Sequence, residues 1–262
     1  MKIVLFDMDG TLTEPRKEIG SDMIRSLLAL SNYTKIGIVT GSDFDYVMQQ
    51  CKKLFDLGGV PASRIEIFPC NGTKHYTWQN TSFNIIHEAD MLECIGQKDY
   101  NYLIQTLLSY QLSISLTNDL PYTGTFFHYR GSMLNWCPIG RQAGDTQRKS
   151  WVEKDLANGI RSHYLSQIEE LISSRDMKVS VALGGSTSFD IYPSGWDKTY
   201  VLNHLEQYDS VYFVGDRCEE GGNDYHIYRK LKHITDRDTG SFVTSGPEDT
   251  IKIVDNLIRK LS

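Results

Sequence analysis

Short apolar runs alternate with helical patterns near the beginning of the chain. KIVLF at Lys2–Phe6 and KIGIVT at 35–40 are almost continuously apolar, which is typical of strands buried on both faces. Each is followed by a stretch with the spacing of an amphipathic helix, SDMIRSLLAL from Ser21 and SDFDYVMQQCKKLF from Ser42. We expect Ser21 to cap the first helix, and Ser42 or Asp43 to open the second.

The last quarter of the chain repeats this alternation. GWDKTYVLNHL from Gly195 predicts a helix, and SVYFVGD from Ser210 predicts a buried strand. SGPEDTIKIVDNLIRKL predicts a closing helix with Pro247 near its first turn. Buried strands that alternate with helices favour a parallel, doubly wound sheet that is covered on both faces. We therefore predict an α/β fold with a Rossmann-like core.

The pattern changes in the middle of the chain. TGTFFHYRGSMLNWCPIG predicts a hairpin that turns near Arg130-Gly131, and KVSVALGGSTSFDIYP predicts a strand pair around Gly184-Gly185. Between them, VEKDLANGIRSHYLSQIEELIS predicts one long amphipathic helix. An α+β domain at 82–192 is thus expected to interrupt a core formed by 1–81 and 193–262.

Composition narrows the classes of partner. A net charge of −6 over 262 residues disfavours nucleic acid, although a local basic cluster still suits a small anion. No apolar run approaches the roughly 20 residues of a membrane span, and the N-terminal strand does not resemble a signal peptide. Five scattered cysteines without CxxC spacing favour reduced thiols. We expect a soluble, cytoplasmic protein with no nucleic-acid or membrane partner.

Polar clusters follow three of the predicted strands, in FDMDGT, IVTGSD and FVGDRCEEGGND. Ligands of a parallel sheet bind beyond the carboxyl ends of its strands. Residues two apart in a strand point the same way, so Asp7 and Asp9 are expected to face one crevice with Asp216. Carboxylates this close are costly to desolvate. A divalent cation such as Mg²⁺ together with a substrate phosphate accounts for the cluster.

This arrangement suits phosphoryl transfer. One aspartate can attack phosphorus to form an aspartyl-phosphate, and the other can move a proton to and from the sugar oxygen. A hydroxyl of Thr40 or Ser42 and the ammonium of Lys198 would hold the phosphoryl oxygens. Each feature alone is more often a turn, a helix cap or a solvated charge. Together, in order and at the expected strand ends, they predict a catalytic site.

The ordered motifs resemble the haloacid dehalogenase superfamily. They are Asp7-Met8-Asp9-Gly10-Thr11, Thr40-Gly41-Ser42, Lys198, and Gly215-Asp216 with Asn223-Asp224. TGTFFHYRGSMLNWCPIGR, GGSTSFDIYPSGWDK and GDRCEEGGNDYHIY further resemble the eukaryotic-type phosphomannomutases, and with FDMDGTLTEPR and GSDF they span nearly the whole chain. The resemblance implies a haloacid dehalogenase-like core with an inserted α+β cap. It also implies an isomerase that interconverts mannose 1-phosphate and mannose 6-phosphate.

The resemblance assigns roles to individual residues. It implies that Asp7 is the nucleophile and Asp9 the general acid/base. It implies that Mg²⁺ is held by Asp7, the carbonyl of Asp9 and Asp216, with Asp224 at or next to the ion. The implied sugar-phosphate contacts are Arg16, Arg130, Arg141, Arg148, Ser188 and Asp190. Planar arginine forks suit phosphate, and an aspartate can accept hydrogen bonds from sugar hydroxyls.

The resemblance also implies cofactors and partners. They are Mg²⁺, and a hexose 1,6-bisphosphate of mannose or glucose as activator and intermediate. A cap would exclude water from the aspartyl-phosphate while the bisphosphate turns end for end. Family members are typically homodimers joined through the cap, which would place Phe126 near the interface, unless it is an ordinary residue of the cap core. The product would feed GDP-mannose synthesis.

Three positions depart from the family pattern or align ambiguously with it. Cys70 stands where an acidic residue is common, and Trp136 where a small residue is usual. The family can bind a second, structural ion near the position of Asp236, but additional residues make the alignment ambiguous, so that ion is not assigned.

Two other functions remain open from the sequence. One is a Mg²⁺-dependent sugar-phosphate phosphatase of the same superfamily, which would not need Arg130, Arg141 and Arg148 in full. The other is a sugar-phosphate-binding protein without catalysis, against which the complete aspartate and lysine set argues. Preference for mannose or glucose is not fixed by these motifs.

Overall fold

The computed structural model describes residues 1–56 and 59–262 and divides into two compact units. The core unit comprises Met1–Glu88 and Trp196–Ser262, and the inserted unit comprises Ala89–Gly195. Each unit buries hydrophobic clusters of its own.

The strands are β1 (Lys2–Phe6), β2 (Lys35–Val39), β3 (Ile65–Phe68), β4 (Lys74–Gln79), β5 (Ser82–Glu88), β6 (Phe127–Tyr129), β7 (Leu134–Trp136), β8 (Val179–Gly184), β9 (Ser188–Pro193), β10 (Ser210–Gly215) and β11 (Asp238–Val243). The helices are α1 (Ser21–Leu30), α2 (Phe44–Phe55), α3 (Met91–Thr117), α4 (Asp145–Asn158), α5 (Ile160–Ser174), α6 (Tyr225–His233) and α7 (Pro247–Leu261). Short 3₁₀ segments add to these, of which Lys198–His204 matters most for the site.

The core sheet has the strand order β11-β10-β1-β2-β3-β4-β5. The first five strands in this order are parallel, and β4 and β5 are antiparallel additions at one edge. Val4 and Phe6 of β1 belong to one buried cluster, whereas Ile3 and Leu5 belong to another. Both faces of β1 are therefore covered, as predicted for a doubly wound sheet. The carboxyl ends of β1, β2 and β10 meet at one edge.

Residues 82–88, which the sequence analysis assigns to the inserted domain, belong to the core unit. They form β5, which pairs with β4 along its length, from Gln79↔Ser82 to Lys74↔Glu88. A hairpin strand that is hydrogen-bonded into a sheet folds with that sheet, and the division therefore follows Glu88 rather than residue 81.

Helix starts in the core unit differ slightly from expectation. Ser21 is the first residue of α1, and Gly20 is the N-cap without a side-chain bond, so the prediction that Ser21 caps the helix is wrong. Asp43 caps α2 as expected, because its carboxylate accepts a 2.9 Å hydrogen bond from the Tyr46 N–H. The GWDKTYVLNHL stretch forms a 3₁₀ segment, not an α-helix, and Asp197 caps it.

The inserted unit contains an antiparallel sheet with the order β6-β7-β9-β8. Both predicted strand pairs, β6 with β7 and β8 with β9, are confirmed. The predicted single long helix is wrong: Gly159 lies between α4 and α5 with φ +61°. This left-handed conformation ends a helix at little cost in glycine, since it lacks a Cβ atom.

Trp136 is fully buried in the inserted unit. Its ring stacks on Phe189 with centroids 4.7 Å apart, and Nε1 donates a 2.7 Å hydrogen bond to Gln111 Oε1. The large side chain is therefore accommodated by packing and by a hydrogen-bond partner from α3.

Candidate active site

Asp7 lies at the end of β1, where the sheet presents its carboxyl edge. Its N–H donates to the Val214 carbonyl of the neighbouring β10 at 2.9 Å, and only 3% of the residue is exposed. Lys198 is 1% exposed, and its Nζ donates to Oδ1 of Asp7 and to Oδ1 of Asp224. The structure thus brings the nucleophile candidate and the lysine into direct contact.

Three carboxylates converge at this edge. Asp7, Asp216 and Asp224 each offer an oxygen within 4.8 Å of the other two. Asp224 is fully buried; its Oδ2 accepts a 3.2 Å hydrogen bond from the Arg217 N–H. Asp224 therefore lies inside the cluster and pairs directly with Lys198.

The cluster suits a hard divalent cation. Oδ1 of Asp216 and Oδ1 of Asn223 are buried, and neither finds a hydrogen-bond donor among the residues that the structure describes. Buried polar atoms without partners are costly and uncommon. A cation coordinated by oxygen would satisfy them, and Mg²⁺ prefers carboxylates together with water and substrate phosphate.

Two glycines let the backbone approach these carboxylates. Gly10 has φ +87°, and a Cβ atom there would lie 2.8 Å from Cγ of Asp216. A Cβ atom on Gly215 would lie 2.5 Å from Oδ2 of Asp224. Real Cβ atoms do not make such contacts, so any larger residue at either position would displace a carboxylate.

Burial dominates the electrostatics of the cluster. It raises the pKa of Asp7 well above its usual range, although the charge of Lys198 opposes this. Burial and the charge of Asp224 raise the pKa of Asp216 to about 6. Burial lowers the pKa of Lys198, but Asp224 and Asp7 outweigh it, and the net shift is upward. The site holds three carboxylates against one ammonium, so additional positive charge stabilises it.

Asp9 stands apart from this group. Its Oδ1 accepts hydrogen bonds from the Arg16 N–H at 3.0 Å and from Gln50 Nε2 at 3.1 Å. Gln50 is 2% exposed, and its Oε1 in turn accepts a 2.7 Å bond from Thr13 Oγ1. The carboxylate of Asp9 is therefore held by these donors and does not belong to the cluster of Asp7, Asp216 and Asp224. That its carbonyl binds the ion stays a prediction.

Thr40 and Ser42 lie at the end of β2, next to β1. Thr40 Oγ1 accepts a 3.1 Å bond from the Ser42 N–H. The carbonyls of both residues accept 2.8 Å bonds from the turn Cys70–Gly72, that of Thr40 from the Asn71 N–H and that of Ser42 from the Cys70 N–H. Sequence reasoning did not anticipate this brace.

The other core positions that the sequence points to differ in burial. Arg16 is exposed with φ +66°, and its backbone N–H contacts Asp9. Asp236 is exposed and does not belong to the carboxylate cluster. Cys70, which departs from the family pattern, is buried.

Arg130, Arg141 and Asp190 are connected within the inserted unit. Nη1 of Arg130 lies 3.9 Å from Oδ1 of Asp190. Asn135 Nδ2 donates to that same oxygen at 2.7 Å, and Asn135 Oδ1 accepts from Arg141 Nη1 at 3.1 Å. Asn135 was not singled out in the sequence, because only the pairing of β7 with β9 places it opposite Asp190.

The guanidinium of Arg148 forms hydrogen bonds within the inserted unit. It donates to Thr187 Oγ1 at 2.7 Å, to the Ala143 carbonyl at 2.9 Å and to the Arg141 carbonyl at 3.1 Å. Ser188 is buried at the start of β9. Arg148 thus fixes the backbone that carries Arg141.

Comparison with known proteins decides the family. Residues 23–260 match the family model described as Eukaryotic phosphomannomutase. The chain belongs to this family. It is 35% identical over 249 residues to the phosphomannomutase of Dendrobium officinale, covering 95% of this chain and 90% of that protein. It is also 35% identical to Phosphomannomutase 2 of Dictyostelium discoideum, covering 98% of this chain and 97% of the relative.

Solved structures outside the phosphomannomutases share the fold. An N-terminally truncated IMP-nucleotidase of Plasmodium falciparum matches 100% of this chain and 71% of its own, with a TM-score of 0.65 at 13% identity. A trehalose-6-phosphate phosphatase related protein matches 99% and 98% of the two chains, with a TM-score of 0.56 at 13% identity. At this identity the likeness concerns the fold alone, and it confirms the predicted α/β class. In this family member, the helices among residues 1–56 and 59–262 fall short of what a membrane crossing requires.

Proposed function

We propose that this chain is a phosphomannomutase, an isomerase that interconverts mannose 1-phosphate and mannose 6-phosphate through an aspartyl-phosphate and a hexose 1,6-bisphosphate. The observation that carries the proposal is the contact of Lys198 with Asp7 and Asp224 at the carboxyl edge of the sheet, beside Asp216, in a chain of this family. Relatives that bear this name align over nearly the whole chain.

Asp7 is the proposed nucleophile. Its carboxylate oxygen forms a bond to phosphorus of the bisphosphate, and the bond from phosphorus to the sugar oxygen breaks. Asp9 gives its proton to that departing oxygen and is left as a carboxylate. In the second step Asp9 takes the proton from the sugar hydroxyl that attacks the aspartyl-phosphate, and Asp7 is released. The two donors on Asp9, from Arg16 and Gln50, hold its carboxylate in one orientation for both steps.

Positive charge and hydrogen bonds lower the barrier to transfer. Lys198 and the hydroxyl of Thr40 or Ser42 are proposed to contact the phosphoryl oxygens, where negative charge must be stabilised. The proposed ligands of Mg²⁺ are Asp7 and Asp216 with the carbonyl of Asp9, and Asp224 lies beside them. When bound, Mg²⁺ supplies the positive charge that lets a carboxylate approach a phosphate.

The inserted unit is proposed to be a cap that recognises the sugar phosphate. Its proposed contacts are Arg130, Arg141, Arg148, Ser188 and Asp190, with Arg16 of the core unit. Asn135 orients Arg141 and Asp190 together, and Arg148 acts partly through the backbone of Arg141. Two phosphates on one hexose require a second anion site, for which these arginines are suited.

A Mg²⁺-dependent sugar-phosphate phosphatase is the alternative, since the first step is the same and only the acceptor differs. The buried Arg130, the oriented Arg141 and the family membership favour the mutase, because transfer to water does not need a second phosphate site.

We further propose a homodimer joined through the inserted unit. Leu108, Leu112 and Leu116 recur every fourth residue on α3 and are 51%, 60% and 77% exposed. Such an apolar stripe is suited to an interface, and half-buried Phe126 adds to the exposed apolar surface of this unit. We also propose that the protein is cytoplasmic and that its product supplies GDP-mannose synthesis. The location is supported by the five cysteines, all within the described residues, which form no disulfide.

An assay of product distribution tests the proposed function. Purified protein is given mannose 1-phosphate and Mg²⁺, with and without a catalytic amount of glucose 1,6-bisphosphate. We expect mannose 6-phosphate to form, faster with the bisphosphate, and Asp7→Asn to abolish it. Release of free phosphate faster than mannose 6-phosphate forms would show that the phosphatase alternative is right.

A further inference from the structure

Three histidines of the core unit, His75, His87 and His204, lie side by side. The ring centroids of His204 and His87 are 4.7 Å apart, and those of His204 and His75 are 5.0 Å apart. His204 is the last residue of the 3₁₀ segment that begins at Lys198. The cluster therefore packs against the segment that carries the lysine of the site, and the proposed mechanism assigns it no role.

His204 makes one directed contact. Its Nε2 lies 2.8 Å from the carbonyl oxygen of Gly72. A carbonyl only accepts, so Nε2 carries the proton and donates it. Burial lowers the pKa of His204 to about 4, against the opposing effect of the Gly72 carbonyl. At neutral pH the imidazole is therefore uncharged, and its single N–H is committed to Gly72.

The turn that receives this bond is the one that braces the end of β2. Cys70 and Asn71 donate 2.8 Å bonds to the carbonyls of Ser42 and Thr40. Gly72 presses on the 3₁₀ segment so closely that a Cβ atom there would lie 2.7 Å from Cα of Val201. The turn touches the Thr40 loop on one side and the Lys198 segment on the other.

Further bonds hold the segment and the residue Trp196 just before it. Asn71 Nδ2 donates to the Trp196 carbonyl at 3.3 Å, two residues before Lys198. His87 Nε2 lies 3.1 Å from the hydroxyl of Tyr200, which belongs to the same segment. The bond from His204 to the turn is shorter than the one from Asn71, and it holds the far end of the segment.

We propose that His204 is a positioning residue for phosphoryl transfer: its hydrogen bond to Gly72 fixes the segment that presents Lys198 relative to the loop of Thr40 and Ser42. The inference rests on the proposed function, which assigns contacts with the phosphoryl oxygens to Lys198 and to the hydroxyl of Thr40 or Ser42. Misplacement of such a group by about 1 Å costs on the order of 100-fold in rate. Loss of the bond should lower kcat and leave KM nearly unchanged, because none of the proposed sugar-phosphate contacts belongs to this segment or to the turn.

Three variants separate the hydrogen bond from the packing of the ring. His204→Phe keeps an aromatic ring against Phe68 and His75 but has no donor. His204→Gln keeps an N–H donor. His233→Phe is the matched control, since His233 is exposed at the end of α6. We expect His204→Phe to lose about 10-fold to 100-fold in kcat with KM within twofold. His204→Gln should stay within about threefold of wild type, and the control should match wild type.

Other outcomes overturn the inference. One is a near-normal kcat in His204→Phe. The other is a kcat of His204→Gln that falls as much as that of His204→Phe. If His204→Phe does not fold, His204→Ala is assayed with added imidazole; recovery of kcat supports the donor role, and no recovery refutes it. Failure of the proposed function looks different, because wild type would then release phosphate without forming mannose 6-phosphate. The same variants are in that case compared by phosphate release, which also needs Lys198.

Discussion

Gln50 donates a hydrogen bond from Nε2 to Oδ1 of Asp9 at 3.1 Å, although the two residues are 41 positions apart in the chain. The glutamine is almost fully buried and cannot turn away to water. Thr13 holds its other end through a 2.7 Å bond to Oε1. Asp9 is thus oriented by a side chain that is itself fixed, and the proposed acid/base role requires such a fixed orientation.

Replacement of Gln50 by leucine should impair proton transfer more than binding. Leucine has a size similar to that of glutamine but cannot donate a hydrogen bond to Asp9. We expect kcat to fall about 10-fold to 100-fold while KM changes little. The matched control is Gln49→Leu, the same substitution on the exposed neighbour in α2. Steady-state kinetics in the mutase assay check this, and equal kinetics for the two variants would count against a role of Gln50 at Asp9.

Removal of the lysine charge should destabilise the core unit. In Lys198→Met, Asp7 and Asp224 lose the cation that both contact in the interior. Breaking a buried ion pair from one side costs about 3–5 kcal/mol. We expect a loss of that order in the free energy of unfolding, measured by urea denaturation without Mg²⁺. Lys230→Met, on the exposed surface of α6, should unfold like wild type, and an equally stable Lys198→Met would contradict the ion-pair argument.

A methyl group at Gly10 should weaken cation binding. The Cβ atom of Gly10→Ala would collide with the Asp216 carboxylate, and the backbone there has φ +87°. We expect Mg²⁺ affinity to fall about 10-fold to 100-fold, as when the supports of metal ligands are disturbed. Isothermal titration with Mg²⁺ measures this. Gly20→Ala is the control, because a Cβ built there lies more than 4 Å from every described residue other than Gly20 and its chain neighbours.

Truncation of Arg141 should act on substrate binding. Hydrogen bonds to charged groups contribute about 1.5–3 kcal/mol, so Arg141→Ala should raise KM by about 10-fold or more with kcat nearly unchanged. Arg175→Ala, an exposed arginine of the same unit that stacks on Tyr102, serves for comparison. An unchanged KM would remove Arg141 from the proposed sugar-phosphate contacts.

The imidazole of His204 should make stability depend on pH. Its pKa is about 4 in the folded protein against an ordinary value of 6.5. Between these values the unfolded chain binds more protons than the folded one, so this contribution is complete above about pH 6.5 and is lost as pH falls towards 4. The variant His204→Gln has no imidazole at this position and therefore lacks this pH-dependent contribution. Proton uptake on unfolding near pH 5 should therefore be lower by about one proton than in wild type, and an identical pH dependence would refute the shifted pKa.

Features that depend on local pattern could be predicted from the sequence. Apolar runs define β1 and β10, and the residues that follow them must lie at the carboxyl edge of a parallel sheet. Asp7 and Asp216 therefore meet in the structure as expected. Lys198 reaches them as well, although its segment is a 3₁₀ turn where a helix was expected. The edge of the sheet, more than the exact helix type, determines where these side chains lie.

Features that depend on tertiary pairing could not be predicted. Gln50 is one polar residue among several in α2, and nothing local marks it as the partner of Asp9. Asn135 acquires its role only when β7 pairs with β9. Gly159 was hidden inside an otherwise helical pattern, where a single glycine is tolerated unless the backbone takes a positive φ.

The position of β1 between β2 and β10 has a consequence for biosynthesis. β2 follows β1 closely, but β10 begins at Ser210, after the whole inserted unit has been made. A nascent chain that has emerged only as far as Gly195 therefore exposes one hydrogen-bonding edge of its most apolar strand, and Asp7 has neither its lysine nor the other two carboxylates. Pairing between such distant segments is slow. The ribosome-bound intermediate is consequently the stage at which this protein most needs protection from aggregation.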